Sequence, residues 1–297
     1  MCDSIFAFGQ RGGYYFECPS KRCHSSSLPK QLNTLFTENK AAGVYHMTIG
    51  ASGSFTISYK ERNGTHHIKS HGLPDPLNAF LHEQDRQGRY LRDLKNISIC
   101  IGPYNESWFA SDGKSWLWMN LPSGLEAALR ARMRDGNWTD RPRIVALGAN
   151  DDFLMITEGN TAVWSLGSYR ALSKMIQFSK TQNDGIASIH SVVLHPYRFQ
   201  SFIAQSVNGV IISENLPPHM QNDFVATKEA IKSDTAQGRL PRHSISRPGP
   251  SRQATLHHEW SNQADGAREE LEREYKVKLK VTLNLSAGSI SRMFGGR

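Results

Sequence analysis

The apolar positions of this chain change period at regular intervals. Ile97, Ile99 and Ile101 alternate and stop at Gly102-Pro103, Trp108-Phe109 opens a second apolar run, and Trp116 and Trp118 share one face of a third. Such alternation predicts strands, and Asp112-Gly113 predicts a tight antiparallel turn between the second and third, since both residues tolerate positive φ. After Leu121-Pro122 the period lengthens to that of a helix carrying Leu125 and Leu129, with Ser123 and Glu126 spaced as a capping box.

This order recurs along the chain. The first-strand stop falls at Gly9, Gly50, Gly102, Gly148 and His195, at spacings of 41, 52, 46 and 47 residues. The corner from strand to helix recurs as Leu28-Pro29, Leu73-Pro74, Leu121-Pro122, Leu166-Gly167 and Leu216-Pro217. Between stop and corner lies a turn, at Asn63-Gly64, Asp112-Gly113, Gly159-Asn160, Asn208-Gly209 and near Lys21-Arg22. Three landmarks in the same order five times predict a repeat architecture. In the second unit Asp75-Pro76 reads as an N-cap followed by proline at the first helical position. Residues 83–95 are a charged insertion that accounts for the longest spacing.

The fold class expected is mainly β: a propeller-like array of about five repeats over residues 1–234, each with three strands and a short helix. Residues 235–263 contain the basic, proline- and serine-rich run Gly238–Gln253 and read as a disordered linker. Residues 264–297 read as a helix over Ala264–Tyr275 and a strand over Lys276–Leu285. Five aliphatic residues of that strand alternate with lysines and polar residues, which makes it a candidate to close the array.

Several small sheets in series, with hairpin turns and a Trp/Phe-rich face, resemble β-propeller repeats of the WD40-like and tectonin-like class. In repeat length the units are similar to those of tachylectin-type five-bladed lectins. They lack the Gly-His start and Trp-Asp end of WD40 repeats, and they have a helix where a standard blade has a fourth strand. The resemblance implies a ring of blades presenting loops to a ligand. No sugar-binding residue carries over.

Composition narrows the partner. The chain has 297 residues, 38% hydrophobic and 21% charged, with a formal net charge of +8 spread along its length instead of gathered in one block. That pattern does not point to nucleic acid. No apolar run approaches the ~20 residues of a membrane span. The N-terminal MCDSIFAFGQRGG does not read as a secretory signal, so a cytoplasmic or nuclear location is expected, with reduced thiols at Cys2, Cys18, Cys23 and Cys100.

Candidate chemistry is sparse. His66, His67 and His71 lie along a strand with alternating directions, and no metal is expected there. Cys18 and Cys23 read as a cross-hairpin thiol pair, and Asp151-Asp152 as solvated acids in a turn. His257-His258-Glu259 lies beyond the linker with no pocket nearby. Asp112, Asp151 and Glu158 are the carboxylates that a glycoside hydrolase reading would need, at a separation of ~5–9.5 Å. No catalytic residue, metal or cofactor is assigned. The function expected is non-catalytic binding of a protein partner through propeller loops, with a lectin-like glycan site and a hydrolase in the central cavity as alternatives. Trp108, Trp116 and Trp118 are the candidate contacts, and Ser244 and Ser246, in the basic run Arg242–Pro248, the candidate phosphorylation sites.

Overall fold

In the computed structural model, residues 2–183 and 185–238 are described. The second and third units predicted from alternation form where expected, and all five units share one element order. Unit one contains β1 (Ile5–Phe8), β2 (Tyr14–Cys18), β3 (Lys21–His24) and α1 (Lys30–Thr37); unit two contains β4 (Ala41–Ile49), β5 (Phe55–Glu61), β6 (His66–His71) and α2 (Asp75–His82). Unit three has β7 (Ser98–Ile101), β8 (Trp108–Ser111), β9 (Trp116–Met119) and α3 (Ser123–Arg130), followed by a small hairpin, β10 (Met133–Arg134) and β11 (Asn137–Trp138). Unit four has β12 (Pro142–Leu147), β13 (Phe153–Thr157), β14 (Ala162–Ser165) and α4 (Arg170–Thr181), and unit five has β15 (Ile189–Leu194), β16 (Phe202–Ser206), β17 (Ile211–Glu214) and α5 (Pro218–Ala236).

Among the described residues the strands make five three-stranded antiparallel sheets, each in simple sequential order, and the two-stranded β10–β11 hairpin. The middle strands are buried on both faces because each lies between two neighbouring units. In β13, Phe153 and Met155 pack toward unit three, while Leu154 and Ile156 pack toward unit five. In β2, Tyr15 packs toward unit two, and Tyr14 and Phe16 pack toward unit five. A strand covered on both faces loses its alternation, which is why these stretches read as continuous apolar runs.

The cores are therefore shared. Units one and two enclose one hydrophobic cluster, units two and three a second, three and four a third, and four and five a fourth. A fifth joins the last unit to the first: Ile203, Ile211, Met220, Phe224 and Ile231 pack on Phe6, Phe8, Tyr14 and Phe16. Each helix covers the contact between its own unit and the next. Leu125 and Leu129 of α3, for example, pack with Leu147 and Phe153 of unit four. The helix thus occupies the connection between units, outside the third strand.

Polar side chains join the same first and last elements. Tyr14 donates its hydroxyl hydrogen to Asp223 Oδ2 at 2.6 Å, and the Ser20 backbone N–H donates to Asp234 Oδ2 at 3.0 Å. Among the described residues this contact is made by α5 together with β16 and β17. The sequence had suggested Lys276–Leu285 for it, a segment outside the described residues.

Three local expectations are corrected. The first residue of α3 is Ser123 itself, with Pro122 as N-cap and no side-chain cap. Likewise α2 begins at Asp75 after an N-cap at Pro74. The proline carbonyls accept the first helical bonds, from Glu126 N–H at 3.0 Å and Asn78 N–H at 2.9 Å, so each helix starts one residue earlier than a side-chain cap would place it. The β2–β3 turn of unit one lies before Lys21, which is already in β3, and this shifts the cysteine register. Cys18 is opposite Lys21, and Cys23 is opposite Phe16, so the two thiols are not cross-strand partners.

Candidate functional site

Antiparallel pairing puts the first-hairpin loops and the strand-to-helix corners at one end of every sheet, and the second turns at the other. Direct contacts show that the first-hairpin loops of the five units gather into one collar. The Ser52 N–H of unit two donates to Gln10 Oε1 of unit one at 3.0 Å. Asn105 of unit three accepts from Ala51 N–H through Oδ1 at 2.9 Å and donates to Ser54 Oγ through Nδ2 at 2.8 Å. In unit four, the Tyr169 hydroxyl accepts from Ala149 N–H at 2.9 Å and donates to the His195 carbonyl of unit five at 2.8 Å.

Each loop is closed at its base by one bond from the stop residue. Gly9, Gly50, Gly102, Gly148 and His195 donate their backbone N–H to Gly13, Ser54, Ser107, Asp152 and Ser201 carbonyls at 2.7 to 2.9 Å. Asp152 is buried and accepts from the Gly167 N–H at 3.1 Å and from the Ser168 N–H, tying the unit-four loop to its corner. It is a structural carboxylate instead of the solvated acid expected.

Two collar loops are longer, and both begin with Pro-Tyr after the stop: Pro103-Tyr104 and Pro196-Tyr197. Although they come from units three and five, which are not neighbours, the Tyr104 and Tyr197 rings meet edge to face at 5.8 Å. Tyr197 also packs edge-on to His195, whose ring stacks on Phe8 at 4.9 Å. Tyr104 is 64% exposed with φ 57°, and Phe199 of the unit-five loop is 55% exposed. Left-handed backbone is uncommon for a bulky residue and marks stored strain. The recurrence of Pro-Tyr directly after a first-strand stop was the signal for this patch in the sequence.

The first strands of the five units together line a chamber of about 240 Å³. Burial favours the neutral forms of Cys100 and His46 on its wall. The Cys100 thiol is pushed up to about 12, and the His46 imidazole is pushed down to about 4. His46 Nε2 accepts the Ile99 N–H at 3.1 Å, and Thr48 Oγ1 donates to the Ile99 carbonyl at 2.9 Å, so unit two satisfies the inner edge of unit three. Arg143 is lowered to about 10 by burial and spends its guanidinium on the carbonyls of Thr157, Ile186 and Ile189.

The three carboxylates named for glycoside chemistry are not brought together, nor do they line this chamber. Asp112 Oδ1 accepts the Lys114 and Ser115 N–H groups at 3.0 and 2.6 Å, and Glu158 pairs with Arg141. Both belong to second turns, whereas Asp151 is exposed on the collar at the opposite end.

The remaining candidates are dispersed. His66 meets the Tyr45 hydroxyl at 3.0 Å, His67 lies 3.6 Å from Glu61, and His71 is tilted against Phe55. Trp108 is fully buried and presents nothing to a partner, which corrects its choice as a contact. Trp116 and Trp118 are half-buried and pack on Trp138 of the β10–β11 hairpin at 5.0 and 6.4 Å, with Arg130 over the Trp118 ring. Ser244, Ser246 and His257-His258-Glu259 lie outside the described residues. No protein-family model matches this chain, and searches of curated proteins and of solved structures return no match either.

Proposed function

We propose that this protein is a non-catalytic binding module, a five-unit propeller-like ring that presents its collar loops to a protein partner. Cyclic sharing of five cores supports the ring. The observation that carries the functional reading is Tyr104, an aromatic side chain left 64% exposed on strained backbone and packed on Tyr197, whose loop also carries the exposed Phe199. Folding gains little from an exposed ring held in a left-handed conformation, whereas a partner gains a rigid, weakly hydrated anchor. The unlike loops of the five units favour one asymmetric partner over a ligand repeated per blade.

The test is affinity capture from source cells with the full chain and with a Tyr104→Ser/Phe199→Ser variant, followed by reconstitution with the purified captured protein and a parallel glycan array. A partner whose affinity drops at least about tenfold with the double variant supports the reading, since aromatic anchors commonly carry 2 kcal/mol or more. Equal affinity for both forms overturns it. An array signal that the same substitutions abolish would move the assignment to a lectin.

A further inference from the structure

We propose that the cleft between the collar loops of units one and two binds an oxyanion, a carboxylate or a phosphoryl group. The argument comes from the repeat. In each unit the residue after the first-strand stop sets the next backbone group of the collar. In units two and four this residue is an alanine whose N–H needs an acceptor: Ala51 finds Asn105 Oδ1 and Ala149 finds the Tyr169 hydroxyl, each at 2.9 Å. Units three and five carry Pro103 and Pro196 there, which have no N–H to satisfy. Unit one uses neither device. Gln10 supplies an N–H, and no acceptor meets it among the described residues.

The space beside Gln10 is a cleft of about 250 Å³ between the loops of units one and two. It occupies the position filled by Asn105 between units two and three. Its polar lining comes from Gln10, Arg11, Ser27 and Ser52, with no acidic residue among those that line it. The Ser27 hydroxyl donates to Ser25 Oγ at 3.0 Å, so the hydroxyl donor is that of Ser52. Arg11 is exposed and its guanidinium has no acceptor among the described residues. Gln10 Oε1 already accepts the Ser52 N–H, so the free end of its amide is the donating NH₂. A Cβ added at Gly53 would meet nothing within 4 Å, so the rim there is open. Guanidinium, amide, hydroxyl and backbone N–H donors together suit an anionic oxygen and repel a cation. This inference stands independently of the protein-partner reading.

The test is titration of the full chain at low salt with inorganic phosphate, a phosphoserine peptide and an oligoglutamate peptide, read by calorimetry and NMR. Saturable binding by the phosphoryl probes, the carboxylate probe or both is expected, and which of them binds identifies the source. Arg11→Gln should weaken it at least about tenfold, the range of a charge-assisted contact. Arg62→Gln, an exposed arginine at the opposite end of the unit-two sheet, should leave it unchanged. Gln10→Pro, which removes the N–H as units three and five do, should weaken binding beyond Gln10→Ala, which keeps it. Absence of saturation up to about 50 mM, equal losses in the two arginine variants, or equal losses in Gln10→Pro and Gln10→Ala overturns the proposal.

Discussion

At the scale of single residues, the collar depends on side chains that bridge units. A Cβ at Gly148 would lie 2.6 to 2.9 Å from the Tyr169 ring, the residue that joins Ala149 to His195. Gly148→Ala should therefore destabilise by about 1–3 kcal/mol through overpacking. Tyr169→Phe should cost a similar amount by leaving the buried Ala149 N–H unpaired. Urea unfolding measures both, and values near zero would show that the bridge carries no stability.

The buried histidines set a pH dependence at the same scale. His46 and His195 are both lowered to about 4, chiefly by burial. Folding favours their neutral forms, so their stabilisation is fully present above the unfolded value near 6.5 and is lost as pH falls toward 4. Each contributes about 3 kcal/mol at neutral pH, at ~1.4 kcal/mol per pH unit. Unfolding free energy should fall steadily between pH 6.5 and 4, and His46→Gln should flatten that slope.

At the scale of elements, the proline corners decide how helices begin. Since Pro122 is the N-cap of α3 and Ser123 makes no capping bond, Ser123→Ala should change stability by less than about 0.5 kcal/mol. A true N-cap serine would cost ~0.5–2 kcal/mol. Leu125, fully buried between units three and four, should cost about 2–5 kcal/mol on replacement by Ala. Thermal and denaturant melts of the two variants separate the capping and packing accounts. In the sequence, Ser-x-x-Glu after a corner matched the capping pattern. The proline carbonyl, which the Leu-Pro corners of units one, two, three and five supply, takes that place in the fold.

At the scale of the molecule, α5 joins the end of the array to its beginning alongside β16 and β17. Phe224 is buried against Phe16, with ring centroids 6.2 Å apart, and Asp223 and Asp234 bond unit-one residues. Phe224→Ala should cost about 3–5 kcal/mol. A chain ending at Gly238 should still melt in one cooperative transition, whereas a chain ending before Pro218 should lose it and aggregate. If the chain ending at Gly238 also fails to melt cooperatively, closure requires residues beyond α5.

The repeat was determined by sequence because its causes are local. Glycine stops, Asn-Gly and Asp-Gly turns and Leu-Pro corners act within a few residues, so strand order and unit count were legible from spacing. Solvation was less local. Trp108 and Trp116 look alike in the sequence, yet one is fully buried between units and the other is half-buried beside a hairpin that two-residue strands left invisible. The collar patch joins Tyr104 to Tyr197 across 93 positions of sequence, and the cleft beside Gln10 exists only where unit two faces unit one. Periodicity reports which side of an element is apolar. Which neighbour covers that side, and which polar group it leaves unmet, is settled by packing between units.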